Sequence, residues 1–282
     1  VRSRRLLIAL VIVGIGAATY WFNTQENPVT GEKQRVGGIT PEQEVALGLQ
    51  SAPQMAAEFG GLHPDREVQA YVERVGQDVV ARSGAQASPY QFAFHALADP
   101  QTVNAFALPG GQVFITAALL GRLEDEGQLA GVLGHEIGHV VGRHSAEHLA
   151  KGQFLQVLVG ATGVAAGSDQ GDGRQAAAIA AMVAQMIQLR YGREDELESD
   201  RLGVRFLSES GRDPRALIDV MRILAEASGG GDRRPDFMST HPDPGRRTET
   251  IEAEIRKLHP GGVPPGLAAG DRGAFARIKQ RL

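Results

Sequence analysis

The chain has 282 residues, 42% of them apolar, enough for one large domain or two small ones with a real core. Its net charge of −4 provides no basic face for nucleic acid, which is not expected as a partner. With no cysteine, disulfides, Cys-based zinc sites and a lipid anchor on an N-terminal cysteine are excluded, so any metal site must use histidines and carboxylates.

Arg2, Arg4 and Arg5 precede an uncharged run over residues 6–22 that ends in the interfacial aromatics Tyr20 and Trp21. At about 1.5 Å per residue this run reaches roughly 26 Å, just enough for a thin bilayer. Residues 1–22 therefore read as an N-terminal transmembrane helix serving as a signal anchor, or as a signal peptide cleaved near the small residues Gly16 and Ala18. Continuation of the apolar run beyond that site favours the anchor. Arginines retained in the cytoplasm would place the rest of the chain in the bacterial cell envelope, anchored to the inner membrane and facing the periplasm, or exported. Residues 23–40, with Pro28, Gly31, Gly37 and Gly38, read as a linker, and residues 41–282 as the folded domain.

Thr40 as N-cap and Pro41 at the first helical position predict a helix over 41–59. Asp65 predicts another over 66–83, with Val68, Val72, Val75 and Val79 at helical spacing. Alternation predicts strands over 90–94 and 104–108, and Pro109-Gly110-Gly111 turns the chain into a third strand over 113–116. The proline places the middle segment at an edge. The expectation is a small antiparallel sheet in an otherwise helical α+β domain.

A short helix over 118–123 and a long one over 126–150 follow. The long one contains His135-Glu136-Ile137-Gly138-His139, an HExxH pattern. One helical turn separates His135 from His139, so both imidazoles can address one metal ion. Zn2+ held by three protein ligands keeps a position for water, and Glu136 is placed to take that water's proton as it attacks a carbonyl. Gly131, Gly134, Gly138 and Gly142 form a stripe beside the histidines, each costing about 1 kcal/mol of helix propensity relative to alanine. Such a stripe predicts a strand or helix packed closely along the metal side. Leu129, Leu133, Ile137 and Val140 line a different face and read as core. At 100° per residue His144 and His148 fall on the far side of this helix from His139 and read as surface residues.

Beyond that helix, residues 154–167 are apolar but too short to span a bilayer, 168–173 form a polar loop and 174–189 an alanine-rich helix. Helices are predicted over 194–211, 214–227 and 246–258, with a glycine-rich loop over 228–235 and a loosely packed C-terminus. Two histidines do not hold a catalytic zinc. His63, His95 and His259 sit in polar surroundings and read as solvated or hydrogen-bonded. The acidic helix offers Glu196 and Asp200 at i, i+4 on one face, so one can bind the metal while the other accepts the second N–H of a ligating histidine. Glu198 points away from that pair.

The HExxH at 135–139 followed by Glu196-Leu-Glu-Ser-Asp200, an ExxxD, resembles the HtpX-like and BepA-like zinc metalloendopeptidases, relatives of the CAAX prenyl protease. The Asn104-Ala-Phe-Ala-Leu-Pro-Gly-Gly and Ser239-Thr-His-Pro segments are similar to that family's pattern too. The resemblance runs from about Pro41 to Glu254 and implies a zincin-type metallopeptidase domain with one Zn2+ per chain. It implies Glu196 as third ligand beside His135 and His139, leaving Asp200 to support a histidine. It also implies that His241 reaches the zinc from a loop, as a reversible fourth ligand or a helper of the transition state. Ser199 departs from the family's usual alanine, and the membrane body of the CAAX proteases and the helical repeats of the BepA-like proteins have no counterpart in this chain.

The expected function is zinc-dependent endopeptidase activity on extended or misfolded exported or membrane proteins. A protein or peptide substrate would add as a strand beside Asn104, Ala105, Phe106, Ala107 and Leu108. The alternatives are a non-catalytic chaperone-like or adaptor module that keeps the metal for stability, and a structural zinc domain, in which Glu136 would have no purpose. Substrate identity and oligomeric state are not encoded in any readable pattern.

Overall fold

Thr40 starts the first long helix as its sequence predicts: its hydroxyl accepts from the Gln43 amide, and the Gln43 side chain returns the bond to the Thr40 backbone. The computed structural model describes residues 24–34, 36, 39–152, 191–228, 236–242, 244–268 and 270–282, with positions 7, 10, 11, 13–15, 17 and 18 near the N-terminus. Its elements are β1 (Gln25–Glu26), β2 (Lys33–Gln34), α1 (Pro41–Glu58), α2 (Arg66–Ala81), β3 (Ala93–Leu97), β4 (Ala105–Leu108), β5 (Gln112–Thr116), α3 (Ala117–Arg122), α4 (Glu126–Val141), α5 (Arg193–Glu209), α6 (Ala216–Ser228), α7 (Asp236–Thr240), α8 (Pro244–Leu258) and α9 (Arg272–Lys279). The domain is mostly helical with a small sheet. The expected segments at 154–189 and 229–235 lie outside the described residues.

The sheet is mixed rather than antiparallel. Its order is β3-β5-β4, with β4 antiparallel to β5 and β3 parallel to β5. Gly110 and Gly111, at φ +79° and +105°, make the predicted turn between β4 and β5. The preceding connection carries the chain across β5, so β3 pairs on the opposite side in the same direction. Thr116 fastens that crossing: its hydroxyl donates to the Thr102 carbonyl at 2.6 Å and accepts from the Asn104 amide at 3.1 Å. β4 is an edge strand, as expected, and β3 begins three residues later than the alternation predicts.

Helix α4 runs through the centre, every residue of it buried, which suits a helix apolar on nearly all sides. Leu129, Leu133 and Ile137 are fully buried, together with the α2 valines 68, 72, 75 and 79, each contributing about 1.5–3 kcal/mol through burial. The glycine stripe receives helices α5 and α6. A Cβ on Gly138 would sit 2.9 Å from the Ser199 carbonyl oxygen and 3.0 Å from its Cα, one on Gly134 3.7 Å from the Gly203 oxygen, and one on Gly131 3.6 Å from Leu217 Cα. Gly138→Val is expected to cost about 1–3 kcal/mol in denaturant unfolding by forcing α4 and α5 apart; an unchanged midpoint would contradict this account of the stripe.

Helix α4 ends nine residues earlier than predicted. After Gly142 the backbone turns at Arg143, at φ +56°, and a helical run resumes over 144–152. The Arg143 guanidinium holds the turn, donating to Glu44 and, at 2.8 Å, to the Ile39 carbonyl. The described part of the expected linker is folded against the same place. β1 and β2 pair as a hairpin, Asn27 Nδ2 donates to the Val141 carbonyl at 2.6 Å, and Gln34 Nε2 donates to the Gly142 carbonyl. Two side-chain amides thereby satisfy carbonyls that a helix C-terminus leaves open.

The C-terminus is also better packed than expected. Asp271 caps α9, which buries Phe275 and Ile278 against the core, with the Phe275 ring 6.1 Å from Tyr71. Among the described residues no helix is long and apolar enough to cross a membrane. The predicted anchor at 6–22 lies largely outside the described residues; of those described there, Leu7, Leu10, Val11 and Ile15 are exposed.

Candidate metal centre

The tight seam between α4 and α5 decides the site. With Ser199 and Gly203 pressed on the glycines, Glu196 and Asp200 on the adjoining face of α5 meet His135 and His139 on α4. His241 enters from the end of α7. Among the described residues, ligand-type atoms of His135, His139, Glu196 and His241 lie within 4.8 Å of one another, all four side chains buried. His135 Nε2 and His139 Nε2 are 3.0 Å apart, Glu196 Oε1 is 3.4 Å from His139 Nε2 and 2.9 Å from His241 Nδ1, and Glu196 Oε2 is 3.6 Å from His135 Nε2.

This donor set suits a divalent cation. It converges three imidazoles and a carboxylate, and Glu196 Oε2, His241 Nε2 and both Glu136 oxygens are buried without a hydrogen bond. Burial drives His139 well below the usual histidine range, which keeps its lone pair free. Burial pushes the Glu196 carboxyl upward, but His241 and Arg247 outweigh it and hold the group ionised, well below the usual range. For Glu136 burial prevails over His241 and His135, and the carboxyl is raised. His241 shows the reverse balance: burial lowers it, but Glu196 and Glu136 raise it further. Its Nε2 is 3.7 Å from Glu136 Oε1.

On α5 the two acids face different partners: Asp200 Oδ1 is 3.0 Å from His135 Nδ1, while Glu196 faces the donor cluster. Arg247 on α8, absent from the sequence expectation, binds Asp200 through Nε and Nη2 at 2.8 Å each. Its Nη1 lies 2.9 Å from Glu196 Oε2 but out of line for a hydrogen bond, so that contact is an ion pair only. Nothing in the Arg246-Arg247 pair marks which arginine is buried. Tyr191 was also missed: it stacks on the His139 ring at 3.9 Å and 24°, its hydroxyl 2.9 Å from Ser145 Oγ.

One expectation needs correction. His144 is not a surface residue but is buried, with Nδ1 2.9 Å from His139 Nδ1, because the turn at 142–143 swings it back under the helix end. Glu198 approaches His144 Nε2 at 3.3 Å. His148 is partly exposed beside Asp195 at 2.9 Å. His63, His95 and His259 each make a hydrogen bond away from the centre, to the Asp65 amide, Gln112 and Ser208.

Beside the centre lies a small cleft whose walls include Asn104, Phe106, Ala107 and Leu108 of the edge strand together with Tyr191, Thr240 and His241. Ala105 is buried but does not line it. Asn104 Oδ1 is buried with no hydrogen bond.

A helix carrying HExxH beside a sheet edge, with a glutamate lent by a second helix, is the plan of a zincin-type metallopeptidase domain. Within that class the chain belongs to peptidase family M48, whose model matches residues 66–255. It is similar to the "Beta-barrel assembly-enhancing protease" of Yersinia pestis, 31% identical over 79% of this chain and 46% of that protein. It is also similar to the "Mitochondrial metalloendopeptidase OMA1" of Schizosaccharomyces pombe, 30% identical over 84% of this chain and 68% of that protein. The Escherichia coli K12 beta-barrel assembly-enhancing protease is 31% identical over 67% of this chain and 39% of its own length. The match thus spans less than half of these bacterial relatives and about two thirds of the yeast one.

Proposed function

We propose that the chain is a zinc-dependent endopeptidase that hydrolyses extended or misfolded proteins. The observation that carries this reading is the convergence of His135, His139 and Glu196 beside a buried Glu136 whose two oxygens have no hydrogen bond. The first three residues would hold one Zn2+, which supplies a Lewis acid and a water of near-neutral pKa. Glu136 would serve as the general base that accepts a proton from water and as the acid that returns one to the departing amine. Asp200, itself gripped by Arg247, fixes the His135 ring. A substrate strand would pair with the edge strand β4, taking affinity from main-chain hydrogen bonds and tolerating varied side chains, and the Asn104 amide oxygen is available to a substrate N–H.

His241 completes the set as a fourth donor, and its segment covers the centre. Its amide donates to the Phe237 carbonyl at 2.7 Å, its ring stacks on Phe237, and the Phe237 amide reaches the Val103 carbonyl next to β4. We assign His241 as a reversible ligand or transition-state helper. His241→Ala should bind zinc yet cleave an unfolded protein at a rate several-fold different from the parent, higher if the imidazole blocks the water and lower if it aids the reaction; an unchanged rate would refute the assignment. The N-terminal run, the arginines before it and the beta-barrel assembly-enhancing relatives support an inner-membrane-anchored enzyme of the bacterial envelope acting on exported or membrane proteins.

A further inference from the structure

We infer that His144 is a positioning residue for the metal centre: its Nδ1 holds the ligand ring of His139 as Asp200 holds that of His135. The inference rests on the reading of His139 as a metal ligand. His139 turns Nε2 toward the donor cluster and Nδ1 toward His144 Nδ1 at 2.9 Å. An imidazole that gives its Nε2 lone pair to a metal carries its proton on Nδ1, so His144 Nδ1 must be the acceptor. His144 is then the Nε2–H tautomer, and that hydrogen faces Glu198 Oε2 at 3.3 Å. The Ser199 hydroxyl approaches the same Nδ1 at 3.3 Å, a longer second donor that agrees with an accepting nitrogen. Roles therefore run without conflict from the Glu198 carboxylate through His144 to His139. Ligating histidines usually donate to a carboxylate, a carbonyl or water. An imidazole in that place orients the ring without adding a negative charge to a centre that already buries Glu136, Glu196 and Asp200.

The backbone is shaped for this contact. A Cβ on Gly142 would stand 2.5 Å from His144 Nε2 and 2.7 Å from its Cε1, so the ring occupies the space that any other residue there would fill. Arg143, at φ +56°, makes the turn that brings His144 back toward His139, and Tyr191 closes the opposite approach by stacking on the His139 ring. His139 is thus held at Nδ1 and across one face.

The test separates the two nitrogens of His144. An asparagine amide oxygen falls near the position of Nδ1 and can accept from His139, whereas a glutamine amide falls near Nε2 and can only replace the contact with Glu198. Zinc affinity would be measured by chelator competition and ligand geometry by the visible spectrum of the Co2+-substituted chain, with circular dichroism reporting the fold. Expected is a loss of about 10–100-fold in zinc affinity and a changed Co2+ spectrum for His144→Gln, with both properties near parental in His144→Asn. Gly142→Ala, which displaces the ring without altering a polar group, should resemble His144→Gln. Parental affinity and spectrum in folded His144→Gln and Gly142→Ala would overturn the inference while leaving the metal site intact. A parent chain that takes up no metal would overturn both.

Discussion

Glu136→Gln is expected to lower peptide hydrolysis by about 10²–10⁴-fold, the contribution of a positioned general base, while zinc content stays at that of the parent. The amide has nearly the volume of the carboxylate it replaces, and Glu136 makes no hydrogen bond that holds another residue in place. In the proposed site His135 and His139 would hold the metal, and Glu136 would not. A catalytic and a purely structural metal site differ here: a chaperone-like or adaptor module would lose nothing with this substitution. Cleavage of an unfolded protein and bound metal, measured on the same preparation, separate the readings. Cleavage at the parental rate would remove Glu136 from the mechanism.

Arg247→Met is expected to be the most damaging change in stability. The guanidinium is buried with Asp200, to which it makes two hydrogen bonds of 2.8 Å, and lies 2.9 Å from a Glu196 oxygen. Methionine fills much of the volume but takes the guanidinium from Asp200 and leaves Glu196 with His241 alone, and removing one partner of a buried pair costs about 3–5 kcal/mol. Denaturant unfolding of the metal-free chain should show that full loss. Saturating zinc should recover part of it, since a dication on Glu196 replaces half of what the arginine supplied. A metal-free midpoint equal to the parent would mean that Arg247 does not hold these acids together.

How much of this was legible depended on whether the deciding contact was local. The HExxH and the Glu196/Asp200 pair are written in helical spacing, and the glycine stripe announced a close neighbour, which proved to be α5 at Ser199 and Gly203. Pro109-Gly110-Gly111 likewise announced its turn. The sheet could not be read the same way: that turn fixes β4 against β5, but no residue in β3 says which side of β5 it takes. His144 was misplaced for a related reason. Gly142 was assigned to the packing stripe when it also ends the helix, and the turn at Arg143 is held by Glu44 and the Ile39 carbonyl, about a hundred positions earlier. The linker showed only its proline and glycines, whereas the amides of Asn27 and Gln34 acquire their role from a helix end far along the chain. Arg247 is one of two adjacent arginines until α8 packs and buries it.

The central claim is that His135, His139 and Glu196 hold a zinc ion with which Glu136 hydrolyses peptide bonds. It is tested most directly by following casein cleavage with the purified chain as isolated, after removal of metal by a chelator, and after dialysis and return of one equivalent of Zn2+. The account predicts cleavage in the first state, loss in the second and recovery in the third. Cleavage that continues undiminished in metal-free protein, or a fully zinc-loaded chain that cleaves nothing, would contradict it.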